Sequence, residues 1–181
     1  MTLHDNTKRM TAKEYAEFAG RVLPNKADVS SPPFALPADA ADNAIVISLS
    51  GDPQGKGRAR AFRRGSFIGH YTPEKTRSYE GMIRTAAMQA MGSRTPIDVP
   101  IEVMLSAIFA IPASFSRKKR DMALSGALRP AKKPDADNII KAWTDAMNGV
   151  VYRDDCLIVK GSFTKVYGPA AMVCVTVRPC E

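Results

Sequence analysis

Four prolines, Pro24, Pro32, Pro33 and Pro37, fall within residues 24–43 among serine, alanine and aspartate. Proline fixes φ and removes a hydrogen-bond donor, so no regular element is expected to run through this stretch. It reads as a linker that splits the chain into an N-terminal extension, 1–43, and a domain, 44–181. Within the extension, residues 11–21 predict a short helix, with Thr11 as N-cap and Glu14 completing a capping box. Tyr15, Phe18, Ala19 and Val22 would share one of its faces. The remaining 138 residues suffice for one core.

From residue 44 the pattern is that of a globular domain. Residues 44–49 predict a buried strand, and 58–71 predict two strands turning near Arg64 and Gly65. Pro73 opens a helix that runs to Met91, with Tyr79, Met82, Ile83, Ala86 and Ala90 on one face, and Gly92 stops it. A strand over 101–111 ends at Pro112. A short, very basic helix or loop covers 116–125, and a further helix covers 138–147. Two more strands, over 157–167 and 171–177, are separated by Gly168-Pro169, which reads as a hairpin signal. Strands and helices in this order predict an α+β domain with one mixed sheet and two main helices.

The net charge is +8. Residues 1–43 hold Lys8, Arg9, Lys13, Arg21 and Lys26 against Asp5, Glu14, Glu17, Asp28, Asp39 and Asp42, a net −1, so the domain carries +9. Such a balance points to nucleic acid before an anionic membrane surface. No apolar run approaches the roughly 20 residues of a membrane span. The N-terminus has no hydrophobic signal region, so a cytoplasmic protein is expected. Cys156, Cys174 and Cys180 are odd in number and match no zinc spacing; free thiols in a reducing compartment are expected.

Against this basic background, Asp135, Asp137, Asp145, Asp154 and Asp155 lie within 21 residues. Like charges so crowded repel unless a cation sits among them. Asp137, Lys141 and Asp145 are spaced i, i+4, i+8 and share a helix face, while Ile139, Ile140, Trp143, Ala146 and Met147 take the other. Asp137 can cap the helix, with Asp135 two residues before it. Asn148-Gly149 ends the helix, and the chain returns to deliver Asp154 and Asp155, so three or four carboxylates could gather. Hard Mg²⁺ takes such oxygens, and the two histidines, His4 and His70, are remote in sequence. Taken singly, each acid also suits a plain structural use. Asp135 and Asp137 could be caps, Asp145 a partner of Lys141, and Asp154-Asp155 a turn.

Three basic clusters accompany the acids: Lys56, Arg58, Arg60, Arg63 and Arg64; Arg117, Lys118, Lys119 and Arg120; and Arg129, Lys132 and Lys133. Cations in this number suit a phosphate backbone. In the first cluster Gly51, Gly55 and Gly57 with Pro53 predict a mobile loop whose backbone can approach a phosphate. Phe62, Phe67 and Tyr71 interleave there and read as strand core in preference to base stackers.

GDPQGKGRAR, YTPEKTRSYE and KPDADNIIKAWTDAMNGVVYRDDCLIV, in that order, resemble the RusA family of Holliday junction resolvases, found in bacteria and their prophages. The likeness runs from Ile45 to Val177. It implies a homodimeric α+β nuclease that cuts four-way DNA with Mg²⁺, for which Mn²⁺ can substitute. The family's essential aspartates fall on Asp135, Asp137 and Asp155, and its basic residue on Lys141. Asp145 and Asp154 also fit the pattern as further metal or site residues. The implied chemistry is hydrolysis of a phosphodiester without a covalent nucleophile. A flap or general branched-DNA nuclease would share these motifs. A catalytically silent DNA-binding protein would need the cations but not the acids. The apolar strand over 171–177, with Val173, Val175 and Val177 on one face, is either sheet core or a dimer surface.

Overall fold

The computed structural model describes residues 43–180. The short helix expected over 11–21 lies outside them. The elements run β1 (Ile45–Ser50), β2 (Arg60–Arg64), β3 (Phe67–Tyr71), α1 (Glu74–Met91), β4 (Ile101–Ala110), α2 (Arg117–Leu124), α3 (Ala136–Met147), β5 (Ile158–Gly168) and β6 (Met172–Pro179). Four strands form one mixed sheet in the order β1-β6-β4-β5, and β2 and β3 form a separate two-stranded sheet. The domain is α+β, as expected, with α2 as a third helix beside the two long ones.

β4 is apolar and buried along nearly its whole length, which suits a central strand with both faces covered. It pairs antiparallel with β6, Leu105 opposite Val175, and parallel with β5, Leu105 opposite Phe163. The expected hairpin of the last two strands is therefore absent. β4 lies between them, because the long apolar strand takes the sheet centre and residues 169–171 carry the chain past its end.

β6 is likewise interior, between β1 and β4. Val173, Val175 and Val177 are fully buried in the main core cluster, so this strand is core and not a dimer surface.

α1 follows Pro73 and carries Glu74 in its first turn, where the helix dipole favours an acid. Its buried positions are Thr76, Tyr79, Ile83, Ala87 and Met91. The face is rotated from the expected one, and Met82 is exposed, because i+4 steps from Tyr79 meet the sheet. α1 packs on β1 and on α3. α3 buries Ile139, Ala142, Trp143, Ala146 and Met147, and Ile140 faces solvent. Each fully buried aliphatic here contributes roughly 1.5–3 kcal/mol relative to exposure. The polar tips of the core aromatics are satisfied: Trp143 Nε1 donates to Tyr79 Oη at 3.2 Å, and Tyr152 Oη donates to the Thr144 carbonyl at 2.8 Å.

Candidate active site

Asp135 is the N-cap residue of α3, and Asp137 lies in its first turn. That reverses the expected capping order, since the helix begins at Ala136. Neither side chain makes a capping hydrogen bond, and both carboxylates are exposed. At this end of a helix the free backbone N–H groups favour negative charge. Lys165, in β5, holds the turn leading into Asp135 by donating from Nζ to the Lys132 carbonyl at 2.9 Å and to that of Pro134. No local pattern marks Lys165, because the contact spans more than thirty residues.

Asp154 and Asp155 arrive by the return loop after α3. Gly149 takes φ +71, and its N–H donates to the Tyr152 carbonyl at 2.8 Å. The Ile97 N–H donates to Val151 O and the Arg153 N–H to Ile97 O, each at 2.9 Å, which clamps the loop to the chain entering β4. Asp154 then caps a single 3₁₀ turn, Asp155–Leu157. The Cys156 N–H donates to its carboxylate and holds it below the ordinary carboxylate range. The same hydrogen-bonded carboxylate pushes the Cys156 thiol up, which disfavours a thiolate nucleophile. All three cysteines are free. Burial, with Asp155 and Asp145 close by, pushes the Tyr152 phenol far above its ordinary value.

Asp145 does not pair with Lys141. Its Oδ2 lies 2.6 Å from Nζ of Lys56, and Glu80 Oε1 of α1 lies 2.8 Å from the same nitrogen, an ion pair without a well-directed hydrogen bond. Burial pulls the Lys56 ammonium down, but the hydrogen bond to Asp145 and the charges of both carboxylates outweigh it and hold it above its ordinary value. Lys56 was expected to face DNA; its ammonium is instead engaged inside the domain. Glu80 gave no signal in the sequence because it reaches the cluster from another helix.

This clamp makes the glycine loop a fixed element instead of a mobile one. Lys56 N–H donates to the Asn138 carbonyl at 2.8 Å, Gly57 N–H to Thr76 Oγ1 at 3.1 Å, and Gly51 N–H to Ala171 O at 2.9 Å. A Cβ at Gly55 would come 2.9 Å from Asn138 Cβ, and one at Gly57 would come 2.7 Å from Thr76 Oγ1. Only glycine lets the backbone lie this close to the first turns of α3 and α1.

Between the loop and those turns opens a groove of about 790 Å³, lined by Lys56, Arg58, Arg60, Lys75, Lys133 and Asp135 among others. Arg63 and Arg64 continue the basic character along β2. Arg117, Lys118, Lys119 and Arg120 form the exposed surface of α2, Lys119 lying 4.3 Å from the centre of the Phe115 ring. Lys132 sits 5.0 Å from the Phe109 ring. Lys75 is the groove cation the sequence clusters did not include.

The expected convergence of three or four carboxylates is not present: among the described residues no three acidic, histidine or cysteine side chains stand close enough to hold a metal between them. Asp145 lies eight residues beyond Asp137, about 12 Å along the helix axis, and is held by Lys56. The donor chemistry still suits Mg²⁺. That ion needs only one or two direct carboxylates and keeps its waters, and Asp135, Asp137 and Asp155 are exposed oxygen donors.

Fold and site together define a basic α+β domain with exposed acids beside a cationic groove. The family model for endodeoxyribonuclease RusA matches residues 50–178. A Bacillus subtilis (strain 168) relative, the uncharacterized protein YqaN, is 31% identical over 136 residues, covering 74% of this chain and 95% of its own length. A solved structure, the protein Atu1372 of unknown function from Agrobacterium tumefaciens, is 12% identical with a TM-score of 0.28, covering 91% of this chain and 94% of its own. The chain belongs to the RusA endodeoxyribonuclease family.

Proposed function

We propose that this protein is a Mg²⁺-dependent structure-specific endonuclease that resolves four-way DNA junctions in recombination and repair. The observation that carries the reading is the position of Asp135, an exposed acid at the N-terminus of α3 that faces a groove walled by cations.

One or two of the exposed carboxylates Asp135, Asp137 and Asp155 would hold the metal directly and its waters would reach the rest; when bound it supplies an activated water and a Lewis acid toward the phosphate. Mn²⁺ can replace it. Arg58, Arg60, Lys75 and Lys133 bind the phosphates along the groove. Lys141 stands one helical turn beyond Asp137 on the same exposed face and is free of ion pairs among the described residues. It neutralises charge that develops on the phosphate. Asp154 shapes the turn that presents Asp155. Asp145 acts through Lys56, fixing the loop that forms one groove wall.

The described residues of one chain supply one such set of acids, while resolution of a junction requires two incisions. A two-fold homodimer acting in the cytoplasm supplies both. No helix among the described residues is long and apolar enough to cross a membrane.

The test is incubation with labelled four-way junction, flap and linear duplex, with Mg²⁺ and with chelator, followed by mapping of cuts on both strands. Paired symmetric nicks confined to the junction are expected. A preference for flaps would replace the resolvase reading with a broader branched-DNA nuclease.

A further inference from the structure

The β2–β3 hairpin stands apart from the four-stranded sheet: among the described residues its strands pair only with each other. In its register Arg60 faces Tyr71, Phe62 faces Gly69 and Arg64 faces Phe67. Side chains alternate along a strand, so these six residues share one face. It presents three aromatics between two arginines. The aromatics were expected to be core. They are exposed instead, Phe62 and Tyr71 at 43% and Phe67 at 62%.

The rings are arranged around Gly69. A Cβ there would meet Phe62 Cζ at 2.6 Å and Phe67 Cε1 at 2.9 Å, so both rings lie directly over bare backbone. Phe62 sits centrally, its ring centroid 6.2 Å from that of Phe67 and 6.3 Å from that of Tyr71. Neither pair is stacked face to face, the planes meeting at 58° and 55°. Phe62 thus pins the two strands together, while Phe67, next to the Gly65-Ser66 turn, and Tyr71, at the base, flank it.

An isolated two-stranded hairpin is marginal in water, and exposed aromatic surface on it calls for a partner. Charge identifies which. Residues 60–71 hold Arg60, Arg63, Arg64 and His70 and no acid. A second copy of the same arm would meet like charge. Arg60 belongs both to this face and to the wall of the groove that holds Asp135. A strand whose phosphates run along the groove is therefore led onto the aromatic face.

We infer that the β2–β3 hairpin is a base-stacking arm: Phe67 and Tyr71 receive unpaired bases of a DNA strand, and Arg60 and Arg64 hold its flanking phosphates. In a closed duplex the bases are stacked on each other and offer no faces, whereas a strand opened at a branch point offers them. The arm would thereby select branched over linear DNA. This rests on DNA being the substrate.

The experiment uses the full chain in chelator and compares binding of labelled oligothymidylate with binding of linear duplex. Base–aromatic stacking contributes about 1–3 kcal/mol per base, so Phe67→Ala should weaken oligothymidylate binding at least about fivefold. Duplex affinity should change by less than about twofold, and the salt dependence should keep its slope, since no phosphate contact is lost. Phe67→Trp should retain binding. The melting temperature should not move, because the ring lies outside the main core. Equal losses on both DNAs, no loss on either, or no oligothymidylate binding by the unmodified protein would overturn the arm. Selective oligothymidylate binding by a protein that cuts no DNA would support the arm and sink the nuclease reading. Junction cutting with no loss of oligothymidylate binding on Phe67→Ala would do the reverse.

Discussion

Lys56 Nζ lies 2.6 Å from Asp145 Oδ2 across 89 positions of sequence, and this one contact ties the glycine loop to α3. Lys56→Met would leave Asp145 and Glu80 facing each other without a cation. Both are partly solvated, so the destabilisation should be about 1–2 kcal/mol, below that of a fully buried pair. Cutting should fall about tenfold as the groove wall loosens. Adding Asp145→Asn should recover part of the lost stability, because one of the two stranded charges is removed. A double-mutant cycle by thermal melting measures this. Strict additivity of the two changes would show that the pair carries no coupling.

Glu102 sits in β4, 9% exposed at its side chain, with Arg178 Nη2 at 2.6 Å and Lys160 Nζ at 3.1 Å. Burial alone would raise its pKa, but the hydrogen bonds to Arg178 and Lys160 win and hold it below the ordinary carboxylate range. A depressed folded pKa means that the group stabilises the fold above the unfolded value, 4.5, and that this is lost as pH falls through the folded value. Glu102→Gln should cost about 1–2 kcal/mol at neutral pH, and less with each step below pH 4.5. Melting curves from pH 7 downward check it; a deficit that is constant with pH would refute the assignment.

Removal of residues 1–43 should leave a cooperatively folded, active domain. β1 begins at Ile45, paired with Val177, and the family match begins at residue 50. Circular dichroism melting and a cutting assay on residues 44–181 are the measurement. Loss of the cooperative transition would make the extension part of the fold.

The legible parts of this chain were those written in local periodicity. β4, α1 and α3 follow from apolar spacing, and Pro73, Gly92 and Gly149 punctuate them where expected. The turn between β2 and β3 was visible at Arg64-Gly65. What stayed hidden depends on contacts far apart in sequence. A Gly-Pro pair between two strands cannot reveal that β4 lies between them, because strand order is decided by which strand is apolar on both faces. Phe62, Phe67 and Tyr71 alternate like core residues, yet no second layer among the described residues covers them. The acids could be ranked from the α3 motif, but the sequence put Asp145 with the metal ligands, and only the fold brings Lys56 and Glu80 to it.

Mg²⁺ or Mn²⁺ should support cutting, and Ca²⁺ should support binding with little cutting. Ca²⁺ is larger and looser in geometry, so exposed carboxylates hold it without orienting a water. Metal titration against a labelled junction reads both. Full activity in excess chelator would remove the metal from the account.

Asp137→Asn tests the central claim most directly. Asp137 lies in the first turn of α3, exposed, and makes no ion pair among the described residues, so its amide should fold like the parent. The cations of the groove remain in place. The measurement is single-turnover cleavage of a labelled four-way junction in Mg²⁺, beside a binding titration of the same variant in Ca²⁺. The account predicts a loss of cleavage of about a thousandfold or more, the scale of a lost transition-state contact, with junction affinity unchanged or tighter. Cleavage near the parent rate, with binding intact, would contradict it.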